Sequence, residues 1–219
     1  MINYSASGTS GTVTLTTHKS HDVIIVFASA ISTPEGSDNA PPAVAGIIDS
    51  SGSLVFNQRA SYVTVVPDHG NDRISEEEWY AVAASPLSSD LIKVTLSSNT
   101  QELSIIGFAV SGANASSPFD PNLPGPVGVS GQTQGGISAA ISTVCSNDLV
   151  IGAAVTVNPT LGAGTGYTLI ASDNGGSLAQ DAAAEYAIVS SLQRGLPVTF
   201  SSETQPFPPT WLVIADALN

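Results

Sequence analysis

The chain of 219 residues has one cysteine, two lysines, two tryptophans and no uninterrupted apolar run long enough to cross a bilayer as a helix. Each shortage excludes something. Cys145 has no partner in the chain, so no disulfide framework holds the fold, and stability must come from packing and strand pairing. Five Lys+Arg against eighteen Asp+Glu give a formal net charge of -13. A surface of that sign does not displace the counterions of nucleic acid, nor does it dock on anionic lipid. Aromatic residues are only 6% of the chain, too few to suggest a stacking platform for a sugar. Charged residues are only 11%, so the acidity is not that of a disordered tail. Polarity comes instead from 31 Ser and 18 Thr. The first residues, MINYSASGTSGTVTL, lack the basic and apolar regions of a secretory leader. The expectation is a product that stays where it is made or leaves by virion release, unless a leader has been removed.

Helical periodicity is nearly absent. Short segments rich in β-branched residues recur instead: Val23–Phe27, Tyr62–Val66, Trp79–Ala84, Leu91–Leu96, Leu103–Val110, Leu149–Val157, Tyr167–Ala171, Tyr186–Val189, Pro197–Phe200 and Trp211–Leu218. Clusters of Gly, Pro, Ser, Asn and Asp separate them. This pattern predicts a many-stranded antiparallel β protein. The alanine-rich stretch Ser177–Ala184 is the one place where a helical turn competes.

The two halves of the chain resemble each other. VTLSSNTQ (94–101) and VTFSSETQ (198–205) are identical at six of eight positions. Upstream, WYAVAAS (79–85) aligns with EYAIVSS (185–191), placing Tyr80 on Tyr186. SHDVIIVFASA (20–30) aligns with SNDLVIGAAVT (146–156), placing Asp22 on Asp148. The blocks keep the same order in both halves. The expected organisation is one compact unit: an arm at 1–11, a first half at 12–115, a Pro/Gly connector at 116–131 and a second half at 132–219. The fold class is all-β, an antiparallel β-sandwich (jelly-roll-like) built from two homologous halves. In the connector, prolines and glycines exclude a central strand.

The run EEEWYAVAASPLSSDLIKVTLSS…LSIIGFAVSGANASSPFD (76–120), together with NDLVIGAAV…GTGYTLIAS…AAEYAIVSS…VTFSS (147–202), resembles β-sandwich modules found in phage tail and virion proteins. Similar modules occur in archaeal and bacterial surface proteins. The resemblance covers most of residues 12–219 and rests on packing and turn signatures. It implies an architecture and brings no catalytic residues with it.

Motifs for chemistry are few. HExxH, GxSxG and GxxxxGK[ST] are missing. Gly162-Ala163-Gly164-Thr165-Gly166 precedes a strand, so no helix N-terminus stands ready for a phosphate, and a hairpin loop is expected. His18 and His21 have no partner at zinc spacing. Cys145 reads as a small packed side chain at a strand start. The acidic stretch PDHGNDRISEEE (67–78) reads as a solvated loop. Its oxygen donors Asp68, Asp72, Glu76 and Glu78 are candidate Ca²⁺ ligands, although their spacing is not that of an EF-hand. No other cofactor is expected.

The function expected is a non-enzymatic structural assembly protein, a virion component such as a capsid, decoration, spike or tail subunit. The alternatives are an extracellular filament or surface-appendage subunit, and a carbohydrate-binding or adhesion module meeting a host-surface glycan. Expected partners are copies of itself or other structural subunits, with no nucleic acid and no membrane insertion. The expected connector is the N-terminal arm: Ile2 and Tyr4, followed by Val13 and Leu15 on one face of TVTLTT, adding as a strand to a sheet edge.

Overall fold

A computed structural model describes residues 2–5, 8–32, 41–67, 72–121, 125–133, 136–157, 160–173, 180–204 and 206–219, with 2–5 described by backbone alone. The fold is all-β and antiparallel. The first half contributes β1 (Ile2–Ser5), β2 (Gly8–Leu15), β3 (Asp22–Ile31), β4 (Val44–Asp49), β5 (Asn57–Val66), β6 (Asp72–Ala83), β7 (Asp90–Thr100) and β8 (Glu102–Val110). The second contributes β9 (Val127–Gln132), β10 (Ile137–Ile141), β11 (Asp148–Val157), β12 (Leu161–Ala163), β13 (Thr168–Asp173), β14 (Gln180–Val189), β15 (Leu196–Ser202) and β16 (Thr210–Leu218).

Four sheets result, ordered β1-β8-β3-β6-β5, β2-β7-β4, β13-β14-β11-β16-β9 and β10-β15-β12. In the first half β1 pairs with β8, β2 with β7 and β3 with β6. These are the nested pairs of a long hairpin rolled over on itself, the arrangement of a jelly roll. β5 departs from it by staying beside β6. In the second half β9 pairs with β16, β10 with β15 and β11 with β14, and β13 stays beside β14. Tyr80 stands opposite Ile25 and Tyr186 opposite Ile151, each three residues beyond the aspartate that opens its partner strand.

The sheets stack in four layers. The two five-stranded sheets face each other in the middle, and a three-stranded sheet covers the outer face of each. Three apolar layers fill the gaps. Val13, Ile24, Val26, Ile92 and Leu103 lie in the first, Ile25, Phe27, Ile106, Ala182 and Ile214 in the middle, and Ile137, Val150, Val198 and Val213 in the third. The inner-sheet contacts come in reciprocal pairs: β1 meets β13 as β9 meets β5, and β8 meets β14 as β16 meets β6. Among the described residues no helix is long and apolar enough to cross a membrane.

Three points that the sequence left open or misjudged are decided here. Gln180–Ala184 is strand, not helix, because its alanines are the small residues that let two ladders pass closely: Ala182 and Ala184 face the other inner sheet and Ala183 faces the outer one. Tertiary packing here overrides a helix-permissive composition. Second, Glu76–Glu78 do not lie in a solvated loop. β6 starts at Asp72, and all three glutamates are buried on it. Third, part of the connector is a strand. β9 runs along the edge of its sheet, where prolines and glycines are tolerated. Its glycines make room rather than turns: a Cβ on Gly128 would lie 2.4 Å from the Tyr62 ring, and one on Gly131 would lie 2.5 Å from the Trp211 ring.

Tyr62 also donates its hydroxyl to the Pro126 carbonyl at 3.0 Å, so Gly128 marks a contact between the halves. Gly128→Ala should force that ring out and destabilise the protein by about 1–3 kcal/mol, the usual cost of overpacking. Urea unfolding monitored by tryptophan fluorescence checks this. Ala at the half-buried Gly46, where nothing lies within 4 Å of the added Cβ, is the control.

Candidate functional site

Among the described residues, twelve acidic side chains are buried: Asp22, Asp49, Glu76, Glu77, Glu78, Asp90, Glu102, Asp120, Asp148, Asp181, Glu185 and Asp216. The negative formal charge is therefore largely an interior property. It arises chiefly because the central strands of the inner sheets have no solvent face. β3 and β16 are buried at every position, so any polar residue on them is enclosed.

The densest polar group lies in the seam between the inner sheets. β5 supplies Arg59, β6 supplies Glu78 and Tyr80, and β16 supplies Asp216. Arg59 donates from Nε to Asp216 Oδ2 at 2.8 Å and from Nη2 to Oδ1 at 3.2 Å. It is the one ion pair among the described residues. The guanidinium also sits 4.2 Å from the centre of the Phe119 ring, which meets Tyr80 edge-on at 4.9 Å. Glu78 is fully enclosed beside Asp216. Burial raises both carboxyls. Asp216 pushes Glu78 further up, while Arg59 works against the rise at Asp216. Burial and the neighbouring Asp216 therefore favour the protonated form of Glu78, while Arg59 favours the charged form of Asp216. An open cleft of about 300 Å³ lies above it, lined by Arg59, Tyr80, Phe119 and the connector residues Ser116–Pro118.

A second polar group ties the same sheets together further along. Gln180 Nε2 donates to Ser104 Oγ at 3.3 Å, and Ser104 Oγ donates to Asp173 at 2.7 Å. Ser29 Oγ donates to Glu76, which burial pushes up to about 8. On the outer side of β14, burial likewise pushes Asp181 and Glu185 up to about 7, each against a backbone N–H, from Leu161 and Gly164 respectively. Asp49 is the opposite case. Burial raises it, but Ser51 Oγ and the N–H groups of Ser53 and Leu54 outweigh that and lower it to about 2.

The described candidate Ca²⁺ ligands, Asp72, Glu76 and Glu78, are spread along β6. Asp68 lies outside the described residues. Asp72 is half-buried at the start of β6, four residues from Glu76, which at about 3.3 Å per residue is roughly 13 Å along the strand. Glu76 and Glu78 share the face turned to the other inner sheet, while Glu77 faces the outer one and accepts from Gln58, Trp79 and the Val44 N–H. The N-terminal arm adds as a strand to a sheet edge of its own chain. β1 pairs in register with β8 of its own chain through Ile2, Asn3, Tyr4 and Ser5. Val13 and Leu15 are buried in the first apolar layer, so their side chains belong to the fold. His18 and His21 are exposed. The glycine run forms part of β12 and the turn after it.

Sequence reasoning missed Arg59 and Asp216. Their signal was a single charge inside a strand-like run, QRASYV for one and WLVIADAL for the other. The chain matches no family model, no curated protein and no solved structure.

Two predictions follow from the buried acids. Arg59→Ala leaves Asp216 enclosed without its cation and should cost about 3–5 kcal/mol near neutral pH. The deficit should shrink as pH falls, because Asp216 then takes a proton. Paired urea titrations at two pH values read this. The wild-type profile has a definite sign. Glu76, Asp181 and Glu185 titrate higher folded than their ordinary values of 4.5, 3.8 and 4.5. Between those values and about 7 to 8 the folded chain holds protons that the unfolded chain has lost, so stability falls as pH rises. The melting temperature should be higher at about pH 5 than at about pH 8. A flat or rising profile at fixed ionic strength would contradict this assignment.

Proposed function

We propose that this protein is a non-enzymatic structural subunit that builds a larger assembly, as a component of a virion. The observation that carries the reading is the outer face of β2-β7-β4. Outward positions on these strands are Thr12, Thr14, Leu91, Lys93, Thr95 and Ile48, with one charge among them. Ile48 is 63% exposed and Leu91 42% exposed, diagonal neighbours across the β4–β7 ladder. A flat, nearly uncharged β surface suits lateral packing between copies, where interface centres are depleted in charge. The resemblance of residues 76–120 and 147–202 to phage tail and virion modules supports the same reading. The two halves, on this view, descend from one eight-stranded module whose copies met face to face. The matched blocks of sequence and the shared strand order, each strand offset by eight, support that descent. A surface appendage is the second reading, favoured by the same face.

The test is sedimentation and electron microscopy of the full chain beside the double variant Ile48→Glu/Leu91→Glu. The wild type should form concentration-dependent oligomers or ordered particles, and the variant should stay monomeric with an unchanged melting curve. A wild type that remains monomeric at high concentration refutes assembly. Equal assembly by both refutes this face as the contact.

A further inference from the structure

Residues from three segments meet at the corner where the connector reaches the second half. Asp120 ends a stretch pinned to β16: its N–H donates to the Ala217 carbonyl at 2.9 Å, and Phe119 bridges Leu218. Cys145 lies in the turn between β10 and β11, and Asp148 is the first residue of β11. One oxygen of each aspartate and the thiol sulfur all lie within 4.8 Å of one another. Asp120 Oδ2 accepts the N–H groups of Val144 and Cys145 at 2.9 and 2.8 Å, which fixes its carboxylate.

Asp148 is the telling member. It is 0% exposed, and neither of its oxygens makes a hydrogen bond of good geometry; the Thr143 hydroxyl and the Asp120 carboxyl are the polar groups that act on it. Enclosing a carboxyl so poorly bonded is costly. The matching corner of the first half shows how such a group is ordinarily satisfied. There Asp22 opens β3 and accepts from Ser111 Oγ at 2.6 Å. Ser111 follows Val110, which pairs with Val23, and Asn219 follows Leu218, which pairs with Leu149, so Asn219 stands where Ser111 stands. Asn219 does not serve Asp148. Its Nδ2 lies 3.8 Å from Cys145 Sγ, and its own Oδ1 is buried without a partner. Two poorly bonded oxygen donors therefore flank a thiol and a fixed carboxylate.

We propose that Asp120, Cys145 and Asp148 bind a divalent cation of the zinc type, with the Asn219 amide oxygen within reach as a fourth donor. The donor set carries the choice of metal. A thiolate disfavours Ca²⁺ and Mg²⁺, and a sulfur with hard oxygens suits a borderline ion. Zinc–sulfur and zinc–oxygen bonds of about 2.3 and 2.1 Å put neighbouring donors roughly 3.5 Å apart, so the three groups close by about an ångström. Rotating the Asn219 amide turns its oxygen toward the site. Binding displaces the thiol proton and leaves both carboxylates ionised. A cleft of about 180 Å³ lined by Ser111, Asn147, Leu149 and Asn219 opens beside the site. Bound there, the ion clamps the connector to the β10–β11 turn. The inference is independent of assembly.

The experiment is titration of the reduced full chain with Co²⁺ and with Zn²⁺. Co²⁺ should give a thiolate-to-metal absorption band that saturates at one ion per chain, and Zn²⁺ should displace it and raise the melting temperature. Cys145→Ser, a half-buried turn position expected to fold normally, should abolish the band. Asp148→Asn should weaken binding by about 100-fold or more, beyond the usual loss for a supporting residue. If Asp148→Asn fails to fold, the Cys145→Ser comparison decides alone. Absence of a band and of stoichiometric binding overturns the proposal, and a raised melting temperature of Asp148→Asn regardless of metal would then identify the two aspartates as a pair sharing a proton. Binding retained in Cys145→Ser overturns it equally.

Discussion

Covering a sheet on both faces removes water from the side chains of its central strands, and the middle of each inner sheet is covered in this way, while β5, β13 and the end of β14 keep exposed side chains. The central strands cannot show the alternation of apolar and polar residues that a half-exposed strand shows. They must also pass each other closely enough to exclude solvent, which is why large residues such as Ile25, Phe27 and Ile106 on one sheet meet Ala153, Ala182 and Ala184 on the other. The outer three-stranded sheets escape the constraint, and there alternation returns: β7 reads buried and exposed by turns from Asp90 to Leu96.

The same enclosure explains where the acidity went. A carboxyl inside this stack has three ways to be tolerated, and the protein uses each. Asp216 takes a cation, Asp49 takes several N–H and O–H donors, and Glu76 and Glu78 keep their protons. The exterior is correspondingly rich in Ser and Thr, so the molecule meets its surroundings with little charge despite a formal total of -13.

Much of the fold was legible in the sequence, for a physical reason: β-branched runs separated by turn residues report strands whichever face they bury. Each apolar run named from sequence lies within or overlaps an observed strand, from Val23–Phe27 inside β3 to Trp211–Leu218 inside β16. The failures cluster where tertiary contact decides. SLAQDAAA needs its alanines to be thin, not helical. EEE carries charges that look solvated until a second sheet covers them. Gly128 and Gly131 look like linker residues until Tyr62 and Trp211 are placed over them. The candidate sites were less legible, since Arg59 and Asp216 lie 157 residues apart and Asp120 meets Cys145 only after the connector folds back. Pairings at such range leave no local periodicity to read.

The placement of β1 and β16 has a mechanical consequence. β16 is hydrogen-bonded on both sides, to β11 along eight residue pairs and to β9 along six, whereas β1 has a single ladder, to β8 along four. Tension carried along the chain therefore meets two unequal anchors. The β1 side peels first, and the β16 side gives way only when two ladders shear together, so the protein is a fuse at one end and a rivet at the other.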